Sequence, residues 1–221
     1  MCKYMGAIFD LDGVLVDTAI FHYMAWKEIA DELQIPFSDK DNERLKGVSR
    51  RESLSILLSL ALKGSINDRV FSKEERLMLS ERKNNIYVDK LKDAVHLTAL
   101  PGVLDTLSLL QQKGIKTAIG SSSKNAQLII GNLGLTGHFD AVVDGRHVRN
   151  TKPDPEVFML AARELGLLPC RCIVFEDAAA GVEAAKSAGM YCVGIGLPEN
   201  LKNADSVMPG MEPARILDLF S

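Results

Sequence analysis

Asp10 and Asp12 stand two residues apart at the end of a short apolar run, Ala7-Ile8-Phe9, and Gly13 follows at once. Two carboxylates at that spacing suit phosphoryl chemistry, since one can attack phosphorus while the other moves a proton. If the apolar run is a strand ended by a turn at Gly13, the pair falls at the carboxyl end of a sheet, where parallel sheets place their ligands. Asp beside Gly also serves simply to solvate a turn. The rest of the chain has to decide between the two.

A phosphate monoester dianion repels an anionic nucleophile, so the attack needs cations and hydrogen-bond donors nearby. Glu176 and Asp177 follow the apolar run Cys172-Ile173-Val174-Phe175. Adjacent acids at a strand end suit Mg²⁺, which takes a few carboxylates in an octahedral oxygen shell completed by water. They also suit the start of the helical run that holds Val182 and Ala185. Thr117-Ala118-Ile119-Gly120 ends in Ser121-Ser122-Ser123-Lys124-Asn125. Hydroxyls and amides at a helix start make a neutral phosphate cradle, or a plain N-cap cluster. Ser123 and Asn125 are placed to hold the far phosphate of a bisphosphate. Lys152 precedes Pro153-Asp154-Pro155-Glu156, where Asp154 reads as an N-cap and Pro155 as the first helical residue, a stiff mount for a cation.

Asp10-Leu11-Asp12-Gly13-Val14 resembles the first motif of the haloacid dehalogenase superfamily of phosphatases and mutases, and the resemblance runs from about Gly6 to Gly196. It implies that Asp10 is the nucleophile that becomes an aspartyl phosphate and that Asp12 is the acid/base, with its backbone carbonyl available to Mg²⁺. A carboxyl group can protonate a leaving sugar oxygen only if burial and neighbouring negative charge raise its pKa, and Asp12 beside Asp10 is placed for that. Ser121 matches the phosphate-binding Ser of the second motif, Lys152 the Lys of the third, and Glu176 and Asp177 the acidic metal-binding motif. Asp10, Asp12, Ser121 and Lys152 would be the catalytic set, and Asp10, Asp12, Glu176 and Asp177 the Mg²⁺ ligands.

Those residues serve water and a sugar hydroxyl equally well as phosphoryl acceptors. Lys46-Gly47-Val48-Ser49-Arg50, with His22, Trp26 and Arg82-Lys83-Asn84, resembles the β-phosphoglucomutase family within that superfamily. The resemblance implies interconversion of β-glucose 1-phosphate and glucose 6-phosphate, with glucose 1,6-bisphosphate as intermediate and activator. Arg50 would clamp the phosphate that is not being transferred, and the Lys46–Arg50 loop would close over the substrate. Thr18, His22 and Lys83 match residues that contact the sugar or set closure, and Ser122 stands where the family commonly has Ala. Plainer readings stay open: His22 can end an apolar stripe, Arg50 can be a surface residue at a helix start, and Trp26 suits a helical core better than a sugar platform. A sugar-phosphate hydrolase, or a sugar-phosphate sensor without catalysis, would use the same fold.

The elements that must hold these residues are legible as pattern. From Gly102 onward, short apolar runs alternate with helical ones: 117–120, 141–143, 172–175, 191–195 and 206–208. That alternation predicts an α/β fold with a doubly wound, Rossmann-like parallel sheet. Between Thr18 and about Val88 the pattern is helical only, with Phe21, Ala25, Ile29 and Leu33 along one face and a very apolar 54–62 segment. Ser49-Arg50-Arg51-Glu52 and Ser72-Lys73-Glu74-Glu75 read as capping boxes. The expected organisation is a core of residues 1–15 and 92–221 carrying an inserted helical cap of 16–91, with the two crossings as a hinge and Pro101-Gly102 reopening the core.

Of the 221 residues, 47% are hydrophobic and 25% charged, and the formal charge is −3. A chain of that balance has no basic run to attract nucleic acid or anionic membrane. Cys2, Cys170, Cys172 and Cys192 show neither zinc nor disulfide spacing, and no apolar leader or run of membrane-spanning length is present. A cytoplasmic monomer whose partners are small sugar phosphates is expected.

Overall fold

The computed structural model describes residues 4–45, 48–61, 71–93 and 97–221. Six strands form one parallel sheet: β1 (Gly6–Phe9), β2 (Lys116–Gly120), β3 (Ala141–Val143), β4 (Cys172–Glu176), β5 (Tyr191–Ile195) and β6 (Ser206–Met208). Their order is β3-β2-β1-β4-β5-β6. This is the doubly wound order expected from the alternating pattern, and its direction of winding reverses between β1 and β4. β1 and β4 are buried along their whole length, which is why they read as unbroken apolar runs and not as alternation. Helices α5 (Val103–Gln112), α6 (Ala126–Asn132), α7 (Glu156–Glu164), α8 (Ala179–Ser187) and α9 (Pro213–Asp218) fall between and after the strands. One core cluster joins Ile8, Ala118 and Val174 of the sheet to Val157, Phe158 and Ala161 of α7 and to Val182 and Ala185 of α8.

The inserted segment is helical: α1 (Ala19–Glu32), α2 (Asp39–Glu43), α3 (Arg50–Ala61) and α4 (Lys73–Asp93). The chain divides into two compact units, Met1–Asp17 with Leu97–Ser221, and Thr18–His96. The sequence put these crossings two and five residues earlier; the later one moves because α4 continues to Asp93. Each unit has its own core. That of the helical unit gathers Trp26, Ile29 and Ala30 of α1 with Leu54, Leu57 and Leu58 of α3.

Three local details differ from the sequence reading. The buried face of α1 is Ala25, Trp26, Ile29 and Ala30, whereas Phe21 and Leu33 are half-buried; the stripe rotates to bring the large indole inward. Helix α7 begins at Glu156, one residue past Pro155, although Asp154 Oδ1 still accepts the Glu156 amide at 2.9 Å. A capping box at Ser38, with Asp41 in the third position, was missed because the pattern sought Glu or Gln there. The box at Ser72 forms both bonds, 2.9 Å from the Ser72 amide to Glu75 and 3.1 Å from the Glu75 amide to Ser72 Oγ. At Ser49 the hydroxyl accepts the Glu52 amide at 3.2 Å. Among the described residues no helix is long and apolar enough to cross a membrane.

Candidate active site

Register sets the centre of the α/β unit. Phe9 pairs with Ile119 on one side and Phe175 on the other, so the next residues, Asp10 and Glu176, stand at the same level at the carboxyl end of the sheet. The Asp10 amide still donates to the Phe175 carbonyl at 2.9 Å, carrying the ladder one residue past β1. Asp12 follows in the turn, half-buried and bridged through its backbone to Val16. The turn closes with the Gly13 amide on the Val16 carbonyl at 2.7 Å, and Gly13 takes φ +81°, which a residue with a Cβ rarely adopts.

Asp10, Glu176 and Asp177 bring carboxylate oxygens within 4.8 Å of one another. Lys152, wholly buried, donates to Asp10 Oδ1 at 2.5 Å and to Glu176 Oε2 at 2.8 Å, and the Ala178 amide donates to the other Glu176 oxygen at 3.1 Å. Burial alone would push the Lys152 ammonium down, but the Asp10 and Glu176 carboxylates outweigh it and hold its pKa above the usual 10.5. Burial, with the Asp10 charge adding to it, pushes Glu176 up to about 7 against the pull of Lys152 and the Ala178 amide. Two of the three carboxylates thus share one buried ammonium, and the donor set is all oxygen. A hard divalent cation with water completing its shell fits both the charge and the chemistry.

Ser121 is buried directly after β2; its amide donates to the Val143 carbonyl at 3.0 Å and its Oγ accepts the Ser123 amide at 3.1 Å. Ser123 Oγ accepts the Asn125 amide at 3.2 Å, and the Ser123 carbonyl accepts the Gly145 amide at 3.1 Å. Ser122, Ser123 and Asn125 are half-buried along this turn. Sequence reasoning missed the support beneath it. Asp144, buried at the end of β3, is gripped by the Arg146 guanidinium at 2.7 and 3.1 Å, and this shapes the loop that backs the Ser122 carbonyl at Gly145.

The helical unit holds the other expected residues. The Lys83 ammonium donates to His22 Nδ1 at 2.7 Å and lies 5.1 Å from the Trp26 ring centre and 4.7 Å from that of Tyr87. The His22 ring stacks on Tyr87 at 4.1 Å. Trp26 is 2% exposed and belongs to the packing of the helices. Arg50 Nη2 donates to Asn84 Oδ1 at 2.7 Å. Thr18 is buried at the start of α1, its carbonyl accepting the Phe21 and His22 amides. Val48 and Ser49 are half-buried before α3. Lys46 and Gly47 lie outside the described residues. Lys83 and Tyr87 are four apart on α4, a helical spacing that could have revealed Tyr87.

Burial, then the Lys83 ammonium and the Arg50 guanidinium, push the His22 imidazole well below its usual 6.5. The folded chain therefore keeps His22 neutral, while the unfolded chain protonates it below about 6.5. Its contribution to stability is present above that pH and is lost as pH falls towards the folded value. His22→Gln should flatten the acid side of the stability profile, by up to about 1.4 kcal/mol for each pH unit below 6.5. Urea midpoints of both proteins across that range test it; parallel profiles would refute it.

A parallel sheet with three clustered carboxylates and a buried ammonium at its carboxyl end is the arrangement of a phosphoryl-handling class of fold. The family model described as haloacid dehalogenase-like hydrolase matches residues 4–189, and the chain belongs to that family. It is an enzyme of this superfamily, whose members use Mg²⁺. The chain is 41% identical to the β-phosphoglucomutase of Bacillus subtilis strain 168 over 203 residues, 92% of this chain and 88% of that one. It is 36% identical to the phosphorylated carbohydrates phosphatase of Thermotoga maritima over 223 residues, 97% of each chain. The crystal structure of β-phosphoglucomutase from Clostridium difficile matches with a TM-score of 0.90 at 39% identity, covering 98% of this chain and 97% of that one.

Proposed function

We propose that the protein is a phosphomutase interconverting β-D-glucose 1-phosphate and D-glucose 6-phosphate through β-glucose 1,6-bisphosphate and a phosphorylated Asp10. The observation that carries this reading is Arg50. Its half-buried guanidinium is oriented by the neutral amide of Asn84, a bond that uses one of its five N–H donors. An enzyme needs such a second anion clamp when its substrate presents phosphate at two positions in turn.

In the cycle, phosphorylated Asp10 gives its phosphoryl group to the sugar 6-hydroxyl while Asp12 takes the hydroxyl proton. The bisphosphate reorients, and Arg50 exchanges the phosphate it holds. Asp10 then attacks phosphorus of the 1-phosphate, the bond from phosphorus to the sugar oxygen breaks, and Asp12 returns the proton to that oxygen. Lys152 fixes the orientation of Asp10 and offsets negative charge as the phosphate arrives, while Ser121 and its turn donate to phosphate oxygens. Mg²⁺, held by Asp10, Glu176, Asp177 and the Asp12 carbonyl, would supply positive charge beside the transferring group. Excluding water protects the aspartyl phosphate from hydrolysis, the task assigned to the loop at Lys46–Arg50. The same reading has the enzyme acting as a cytoplasmic monomer on sugar phosphates, with glucose 1,6-bisphosphate as activator.

The test is β-glucose 1-phosphate with Mg²⁺ and a trace of glucose 1,6-bisphosphate, following glucose 6-phosphate and free phosphate together. Glucose 6-phosphate without matching free phosphate is expected. Stoichiometric free phosphate without glucose 6-phosphate would replace this reading with a sugar-phosphate phosphatase, which the similarity to the Thermotoga phosphatase over nearly the full chain favours. Arg50→Ala should lower mutase turnover by about a hundredfold, the scale of losing one charge-bearing clamp. Hydrolysis of a small phosphate ester should fall far less, and equal losses would remove the clamp role.

A further inference from the structure

Two glycines lie against the acidic pair. A Cβ placed on Gly181 of α8 would sit 2.0 Å from Cδ and 2.1 Å from Oε2 of Glu176. At Gly13 it would sit 2.1 Å from Oδ2 and 2.5 Å from Cγ of Asp177. Non-bonded carbon and oxygen do not approach so closely. Each carboxylate thus occupies the volume that any other side chain at its glycine would fill. Being a glycine in a helix does not by itself bring this about, since Gly131 of α6 has nothing within 4 Å of the same position.

Gly13 has a backbone reason to be glycine, its φ of +81°. Gly181 has none: it is not among the residues of positive φ, and its amide makes an ordinary 3.1 Å bond to the Ala178 carbonyl in the first turn of α8. Alanine is the better helix former there. What glycine supplies instead is room for Glu176.

We propose that Gly181 is a positioning residue of the metal site: the missing Cβ lets the Glu176 carboxylate lie on the first turn of α8, within reach of both Lys152 and the Ala178 amide. Those two bonds, 2.8 and 3.1 Å, aim the carboxylate towards Asp10 and Asp177. A methyl group at 181 displaces the carboxylate, because its flexible end moves more easily than the helix. Gly13 makes the corresponding room for Asp177 from the turn after β1. The inference rests on reading Asp10, Glu176 and Asp177 as Mg²⁺ ligands.

Mg²⁺ binding to the full chain, read by titration calorimetry and by the Mg²⁺-dependent rise in melting temperature, separates the two claims. Gly181→Ala should weaken Mg²⁺ about tenfold or more, the usual loss when the support of a ligand is removed. Its melting temperature without Mg²⁺ should fall, since the displaced carboxylate loosens its bond to Lys152, and Mg²⁺ should restore less of it than in the native chain. Gly131→Ala, the control, should leave Mg²⁺ affinity unchanged. Glu176→Asp shortens the side chain by one methylene and clears the space claimed by a methyl at 181. In the Gly181→Ala background it should therefore cost much less affinity than in the native chain. Native affinity in Gly181→Ala, or losses that multiply in the double variant, would overturn the proposal. If Gly181→Ala does not fold, recovery of folding and Mg²⁺ binding in the double variant supports it and continued failure overturns it. A native chain that binds no Mg²⁺ would overturn the metal reading itself.

Discussion

Asp10→Asn is expected to abolish formation of both glucose 6-phosphate and free phosphate, by at least about 10⁴-fold, while leaving the protein folded. The size follows from the proposed role: a covalent nucleophile cannot be replaced by its neighbours, and removing one member of such a set costs nearly as much as removing the set. The fold should survive because the carboxamide keeps the shape of the side chain at a position only 5% exposed. Lys152 also retains Glu176 at 2.8 Å, so no buried ammonium is stranded. The measurement is twofold. Turnover gives the loss of activity, and intact-protein mass after acid quenching of a reaction with glucose 1,6-bisphosphate gives the covalent step. The native chain should gain one phosphoryl group and the variant none. A variant that still carries the added mass would place the nucleophile elsewhere.

Lys152→Met should strongly destabilise the α/β unit. The ammonium is wholly buried between two carboxylates, and deleting one side of such a cluster leaves buried charge without its counterion, a loss of about 3–5 kcal/mol. The sign of the pH dependence follows from Glu176. Its pKa already lies near 7, above the 4.5 of an ordinary Glu, and without Lys152 it rises further. A carboxyl group raised on folding favours the folded state only while protonated, so in metal-free buffer the deficit should be greater at about pH 8 than at about pH 6. Saturating Mg²⁺ should narrow the gap, since a cation that binds only the folded chain stabilises it by mass action. Activity should fall by at least about a hundredfold. Urea midpoints with and without Mg²⁺ test the claim; a deficit below about 1 kcal/mol that ignores pH would show that Lys152 is not the counterion of the pair.

The sheet was legible because its strands are covered on both faces, so β1, β4 and β5 appear as apolar runs with little else competing for them. Helix faces and starts were less exact. A 3.6-residue period tolerates rotation by one position, which is how Trp26 displaced Phe21 on the buried face of α1. In the site, residue types next to strand ends singled out Asp10, Ser121, Glu176 and Asp177, and the Pro153-Asp154-Pro155 run singled out Lys152, but not who partners whom. Lys152 and Asp10 are 142 residues apart, and Lys83 and His22 are 61 apart. Such pairs exist only after the topology closes, and no local pattern encodes them. The Asp144–Arg146 grip under the Ser121 turn was hidden for another reason: it resembles any loop rich in charge until Asp144 is seen to be fully buried.

Val16 and Ala99 form an antiparallel bridge within the α/β unit, and the Leu100 amide donates to the Leu15 carbonyl at 2.9 Å. The chain therefore departs on its long excursion and comes back at points only about one strand spacing apart. Whatever fills the excursion, the sheet sees the same short gap to be bridged. Lengthening or exchanging the filling costs little, because loop closure grows only with the logarithm of length. The helical insertion is in this sense a cassette: its filling can be recut while the carboxylates at the sheet end keep their places.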